Sequence, residues 1–180
     1  MAFSKANSPI TAFVRPRPSD PRRGIIAIGT LRLPCALGRS GVTQRKREGD
    51  GATPRARLVP IRIFYRPDQN LRPTGRRLPQ QRIKTTDGWC DAPHSFAYNR
   101  RVTLPFAHSH EKMWRDDHLY DLVIETDWNH CPRRLSYGSA IFIHLARAGY
   151  QPTEGCIALS RKDMRLLLAV IDRIRCFKMC

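Results

Sequence analysis

Residues 139–146 read Ser-Ala-Ile-Phe-Ile-His-Leu-Ala, and residues 155–159 read Gly-Cys-Ile-Ala-Leu. Both are short apolar runs rich in strand formers, and the first is read as a strand near the centre of a sheet. Residues 119–128 contain Leu-Tyr-Asp-Leu-Val-Ile-Glu-Thr and give a second central strand. Outward from these, Leu58–Tyr65 and Gly24–Leu33 read as further strands, with Pro60 pushing the former toward a sheet edge because proline cannot donate to a ladder. Ser160-Arg161-Lys162-Asp163 is a helix start with an acidic third position, and Met164, Leu167, Leu168, Ile171 and Ile174 recur at helical spacing. A helix over residues 161–175 is expected, followed by an unstructured tail carrying Cys176 and Cys180. The fold class is therefore mainly β with long loops and a C-terminal helix.

The remaining segments are punctuated. Gly38–Pro54 is dense in Gly and Asp and reads as a loop. Residues 66–118 carry Pro67, Pro73, Pro79, Gly88, Pro93 and Pro105 and read as mostly irregular; a loop that long in a compact domain is often functional. Residues 1–22 are polar and Pro/Arg-rich, so they are expected to be a flexible arm ahead of one domain spanning 23–180. At 180 residues, the chain fits one such domain.

The formal net charge is +17, and residues 1–84 carry 19 Lys/Arg against 4 Asp/Glu, so the positive field lies in the first half. Such a field favours an anionic partner, whether nucleic acid, a membrane surface or a carboxylate-bearing polymer. Only six of the 32 basic residues are Lys, so arginine-rich codon usage is an alternative source of the excess. No run reaches the roughly 18 apolar residues of a membrane-spanning helix, and the first residues are too polar for a signal peptide. The six cysteines contain no Cys-x-x-Cys pair and are too dispersed for a dense disulfide framework.

The chemistry points to His144, Gly155 and Cys156. Thiol catalysis needs a thiolate, an imidazole to take its proton and donors for an oxyanion. Glycine before the cysteine permits a tight turn, from which the N–H groups of Gly155 and Cys156 could face developing negative charge. On spacing alone, a buried core cysteine beside a core histidine accounts for the same residues.

Gly138–His144 with Thr153-Glu154-Gly155-Cys156-Ile157-Ala158-Leu159 resembles the catalytic region of the L,D-transpeptidase (YkuD-type) family, whose pattern runs from a His to Ser/Thr-His-Gly-Cys. His144, Thr153, Gly155 and Cys156 match it. Glu154 stands where the family has a second His, Ala158 where a polar residue is usual, and the His-to-Cys interval is short. Cys35–Gly41, Lys46–Pro54, Trp89-Cys90-Asp91 and Ser109–Arg115 extend the resemblance to a compact proteobacterial branch, over about residues 24–175. It implies a β-sandwich of mixed sheets and a Cys156 thiol that, deprotonated by His144, forms a thioester acyl-enzyme. It also implies peptidoglycan stem peptides as substrate and hence a periplasmic location. The donor is either L-alanine (1,3-type links) or diaminopimelate (3,3-type), and water as acceptor would make the enzyme an amidase or carboxypeptidase.

Candidate substrate contacts are Thr153, Glu154, Arg39, His110, Trp114, Arg115, Tyr137 and Arg161. His108, His110, Glu111 and His118 complete no zinc-ligand spacing, so no metal is expected, and nothing points to a cofactor. Cys35 and Cys90 are a conceivable pair in an oxidising compartment. A basic nucleic-acid-binding module is the competing class, although no recognition motif supports it and no nucleic acid is expected.

Overall fold

Ala12 and Val14 point inward and are fully buried, while Phe13 and Arg15, alternating with them, face out. That period-2 pattern makes a strand of a stretch whose prolines and arginines had suggested a loose arm. The computed structural model describes residues 8–180, so of the expected arm only residues 1–7 lie outside the described part. β1 (Ile10–Arg17) and β2 (Asp20–Ile28) form an antiparallel hairpin, with a register shift between Pro16 and Arg17. The single strand expected over 24–33 is in fact another hairpin. It turns at Gly29, whose φ of +57° suits glycine, into β3 (Leu31–Ala36).

The Gly-rich loop holds only the two-residue parallel pair β4 (Val42–Thr43) and β5 (Thr53–Pro54). β6 (Arg57–Leu58) and β7 (Pro60–Tyr65) follow, then β8 (Gln80–Arg82). Within the segment read as irregular, β9 (Asp87–Cys90), β10 (Arg100–Thr103) and β11 (His110–Lys112) make an antiparallel sheet with β9 in the middle. β12 (Leu122–Thr126), β13 (Phe142–Leu145) and β14 (Ile157–Leu159) are buried along their whole lengths. The single α-helix among the described residues, α1 (Arg161–Val170), precedes β15 (Ile174–Met179).

Ten strands form one mixed sheet in the order β6-β15-β1-β2-β3-β14-β13-β12-β7-β8. β15 also touches β7, seven places along, so the sheet folds over on itself and encloses the larger core as a sandwich. β7 is thus one strand in from the edge. Its Pro60 is tolerated because it opens the strand at a register shift opposite Thr126.

The helix begins as expected, with the Asp163 N–H donating to Ser160 Oγ at 3.0 Å. It buries Met164, Leu167 and Leu168, worth about 1.5–3 kcal/mol each. It stops at Val170, because Ile174, Cys176, Phe177 and Met179 are buried in a strand lying parallel to β1. Cys176 is therefore interior to the sheet, not part of a tail. All six cysteines are free thiols, with Cys35 in the large core and Cys90 in the three-stranded sheet.

β7, β12 and β13 are buried on both faces. Ile63, Ile124 and Ile143 enter the large core, whereas Phe64, Val123 and Phe142 pack into a second one. That second core is roofed by Trp89 of β9 and by Met113, and Trp89 meets Phe142 edge-on at 4.9 Å between ring centroids. The three-stranded sheet is thereby clamped over β12 and β13.

Candidate active site

β13 and β14 run parallel, with Ile143 opposite Ile157 and His144 opposite Ala158. Side chains alternate, so Phe142 and His144 share one face of β13, and Ala158 and Cys156 share the same face on the neighbouring strand. Ile143, Leu145, Ile157 and Leu159 fill the large core behind them. The thiol and the imidazole are thus held on one wall by two buried strands. Both line a cavity of about 220 Å³, together with Glu111, Leu119, Tyr120 and Ala158, and with Arg115, Arg147 and residues 151–154 around its mouth.

The imidazole has a defined tautomer. Its Nδ1–H donates to the Leu145 carbonyl at 2.8 Å, which leaves the Nε2 lone pair free to accept a proton. The ring packs edge-on against Tyr120 at 5.2 Å. Burial drives the histidine down to about 4, outweighing the hydrogen bond to Leu145, and so His144 is neutral near pH 7.

Cys156 is likewise neutral at rest. Burial pushes its thiol up to about 12, and the neighbouring Glu111 carboxyl pushes the same way. The S–H donates to the Ala140 carbonyl at 2.9 Å, while the Phe142 N–H points at Sγ from 3.4 Å and would favour a thiolate. The thiol and the imidazole are therefore both neutral at rest, with the thiol proton directed at the Ala140 carbonyl; this is not a preformed ion pair.

The turn carrying Cys156 requires its glycine. Gly155 has φ +136°, and a Cβ there would lie 2.9 Å from the Ala52 carbonyl oxygen. It would also lie 3.4 Å from Nζ of Lys46, a buried cation that donates to the Arg47 carbonyl at 3.0 Å and to the Asp50 carboxylate. Thr153 Oγ1 ties the turn together by donating to the Cys156 carbonyl at 2.7 Å and accepting from the Gly155 N–H at 3.2 Å. The Gly155 N–H is therefore engaged internally, a correction to the expectation that both turn amides face an oxyanion.

Behind the thiol, Asn99 organises the approach to β13. Its Oδ1 accepts from the Trp89 indole and from the Ala140 N–H, both at 3.0 Å. Its Nδ2 donates to the carbonyls of Trp128 and Asn129. Ala140, at φ +49°, is held with its carbonyl toward Cys156.

Of the residues expected in the site, Cys156, His144, Thr153, Glu154 and Arg115 line the cavity, and Gly155 forms the turn beneath it. Arg39 reaches the mouth only through Glu154, with its Nε 2.8 Å from that carboxylate in an exposed pair. The family's second histidine is thus replaced by half of a surface ion pair. Four others lie elsewhere. His110 points away from Glu111 on β11, its Nδ1 bonded to the His108 carbonyl. Trp114 is stacked under Arg66 at 3.5 Å. Tyr137 lines a separate groove with Lys46 and Trp128. Arg161 is paired with the buried Asp121.

The positions that sequence reasoning missed as cavity walls are Glu111, Tyr120 and Arg147, and, as supports, Lys46 and Asn99. Alternation on β11 would have turned Glu111 opposite to His110. Among the described residues, no group of three or more His, Cys, Asp or Glu side chains is placed to hold a metal.

The family model of the L,D-transpeptidase catalytic domain (YkuD) matches residues 25–173, from β2 to the turn after α1. No curated protein matches the chain, and no solved structure does.

Proposed function

The chain belongs to the L,D-transpeptidase catalytic-domain family, enzymes that cross-link peptidoglycan through a cysteine, and from that premise we propose that Cys156 is the nucleophile and His144 its base. The observation that carries this is their common wall: two adjacent parallel strands present Sγ and a free imidazole Nε2 to one cavity. β1, ahead of residue 23, belongs to the same sheet, since it pairs with both β2 and β15.

As Sγ attacks the donor carbonyl next to an L-centre, Nε2 of His144 takes the thiol proton and then returns it to the departing amine. A thioester on Cys156 remains. The Cys156 N–H is the turn amide left to face the oxyanion, since that of Gly155 is bonded to Thr153. Lys46 beneath the turn adds a fixed positive charge on the same side. Arg147 at the mouth, half exposed and only loosely paired with Asp117 at 3.9 Å, meets the carboxylates of the stem peptides. An amine of a second stem peptide resolves the thioester into a cross-link. The donor is either L-alanine or diaminopimelate. The substrate places this activity in the periplasm.

The test is mass spectrometry of muropeptides incubated with wild type and with Cys156→Ala, with fragmentation of any dimer. Dimers made only by wild type establish the transpeptidase, and their fragments assign the donor. Shortened monomers establish a hydrolase on the same scaffold, and no change with either protein refutes both.

A further inference from the structure

Among the described residues, Glu111 and the exposed Glu154 at the mouth are the acidic side chains lining the cavity, and Glu111 stands on its inner wall. It has a hydrogen bond but no counter-charge. The Tyr120 hydroxyl donates to its Oε2 at 2.5 Å, and among the described residues no Lys, Arg or His nitrogen lies within 4 Å of it. The nearest cation, Arg115, is spent on Asp117 and on the Tyr120 ring face, 5.2 Å away. The facing charges are Asp91 and Glu48, both of which disfavour a carboxylate at Glu111, with Arg115 opposing them; burial disfavours it most. A half-buried carboxyl without a cation, opening into a cavity that holds a nucleophile and its base, is a site for a cationic group of the substrate.

The amine that resolves a Cys156 thioester arrives as an ammonium ion, which cannot attack until it loses a proton. We propose that Glu111 binds this ammonium and takes its proton, and that it does so after Cys156 has been acylated; the proposal rests on the transpeptidase reading above. The order follows from charge. Glu111 and the attacking Cys156 sulfur repel each other while both are anionic, so an ionised Glu111 opposes acylation. Once the sulfur is a neutral thioester, that repulsion is gone, and a carboxylate at Glu111 is matched by the incoming cation. The proton balance closes. One ammonium proton passes to Glu111 and the nitrogen lone pair attacks the thioester carbonyl. The C–S bond then breaks, and the second nitrogen proton reaches the departing sulfur through His144. Glu111 releases its proton to solvent. Water carries no charge for a carboxylate to match, so Glu111 favours cross-linking over hydrolysis.

The experiment compares wild type with Glu111→Gln, which preserves the size of the side chain and an acceptor for Tyr120. Disaccharide-tetrapeptide serves as donor and acceptor; intact-protein mass follows the Cys156 adduct, and chromatography gives the ratio of dimer to hydrolysed monomer. Glu111→Gln is expected to acylate at least as fast as wild type, while the dimer-to-hydrolysis ratio falls about 100-fold. Hydroxylamine, neutral near pH 7, should release the adduct equally fast from both proteins. Tyr120→Phe provides a second readout. Losing the hydroxyl that lowers the Glu111 pKa should move the pH midpoint of the dimer-to-hydrolysis ratio upward. An unchanged ratio in Glu111→Gln, equal loss of acylation and dimer, or an unmoved midpoint in Tyr120→Phe overturns the proposal. If wild type itself forms no Cys156 adduct, the transpeptidase reading fails first.

Discussion

Replacing Asn99 with Ala should damage both stability and chemistry, and the structure gives the size of the effect. Oδ1 is the shared acceptor for the Trp89 indole N–H and the Ala140 N–H, and both donors are buried. Each, left unsatisfied, costs about 1–3 kcal/mol. Asn99 also sits at φ +53°, a conformation that asparagine tolerates and that costs alanine about 1 kcal/mol more. Together these put the loss at roughly 4 kcal/mol, which for a chain of this length lowers Tm by about 10 °C. Because Ala140 carries the carbonyl that holds the Cys156 thiol, and Trp89 packs on Phe142, whose N–H points at Sγ, acylation should slow as well. Urea unfolding and intact-mass acylation kinetics measure the two effects. A stability loss under about 1 kcal/mol with unchanged acylation would refute the idea that this node shapes the thiol's surroundings.

Two further expectations concern the catalytic pair. His144 stays unprotonated in the folded protein down to about pH 4, while its ordinary value is 6.5, so the unfolded chain binds the extra proton across that window. Stability therefore falls as pH drops from about 6.5 to about 4, by on the order of 3 kcal/mol, and is unaffected by this group above the window; His144→Gln should flatten that part of a urea-midpoint profile. Gly155→Ala would force a Cβ to within 2.9 Å of the Ala52 carbonyl at a φ of +136°. Strain of about 1–3 kcal/mol should appear as a lower Tm and as lost acylation, and a variant that acylates normally would show that the turn can relax.

The elements set by neighbouring residues were legible in the chain. The apolar runs at 139–146 and 155–159 hold the strands Phe142–Leu145 and Ile157–Leu159 because their own side chains demand burial. Ser160 with Asp163 starts the helix through contacts three residues apart. His144 and Cys156 could be picked out because both lie on those runs, and the Gly155 requirement is written in the glycine itself. The helix end could not be read that way. Ile171 and Ile174 continue the helical spacing, but the strand from Ile174 is created by its partner β1, which lies at the other end of the chain. The same holds for residues 10–17, where proline and arginine hide an alternation that counts only once β2 and β15 flank it.

For the site, the chain by itself determined the two groups proposed to react and the tight turn between them, since each depends on residues close in sequence. Only the tertiary structure decided their surroundings. Lys46, Asn99, Glu111 and Tyr120 come from four separate segments, and their approach to Cys156 depends on the folded-over sheet and the three-stranded roof clamped by Trp89. Whether His110 or Glu111 faced the cavity was a matter of strand parity on β11, and whether Arg161 met substrate or the buried Asp121 was a matter of packing. Burial and pairing of that kind are properties of the assembled volume, and no local pattern along the chain encodes them.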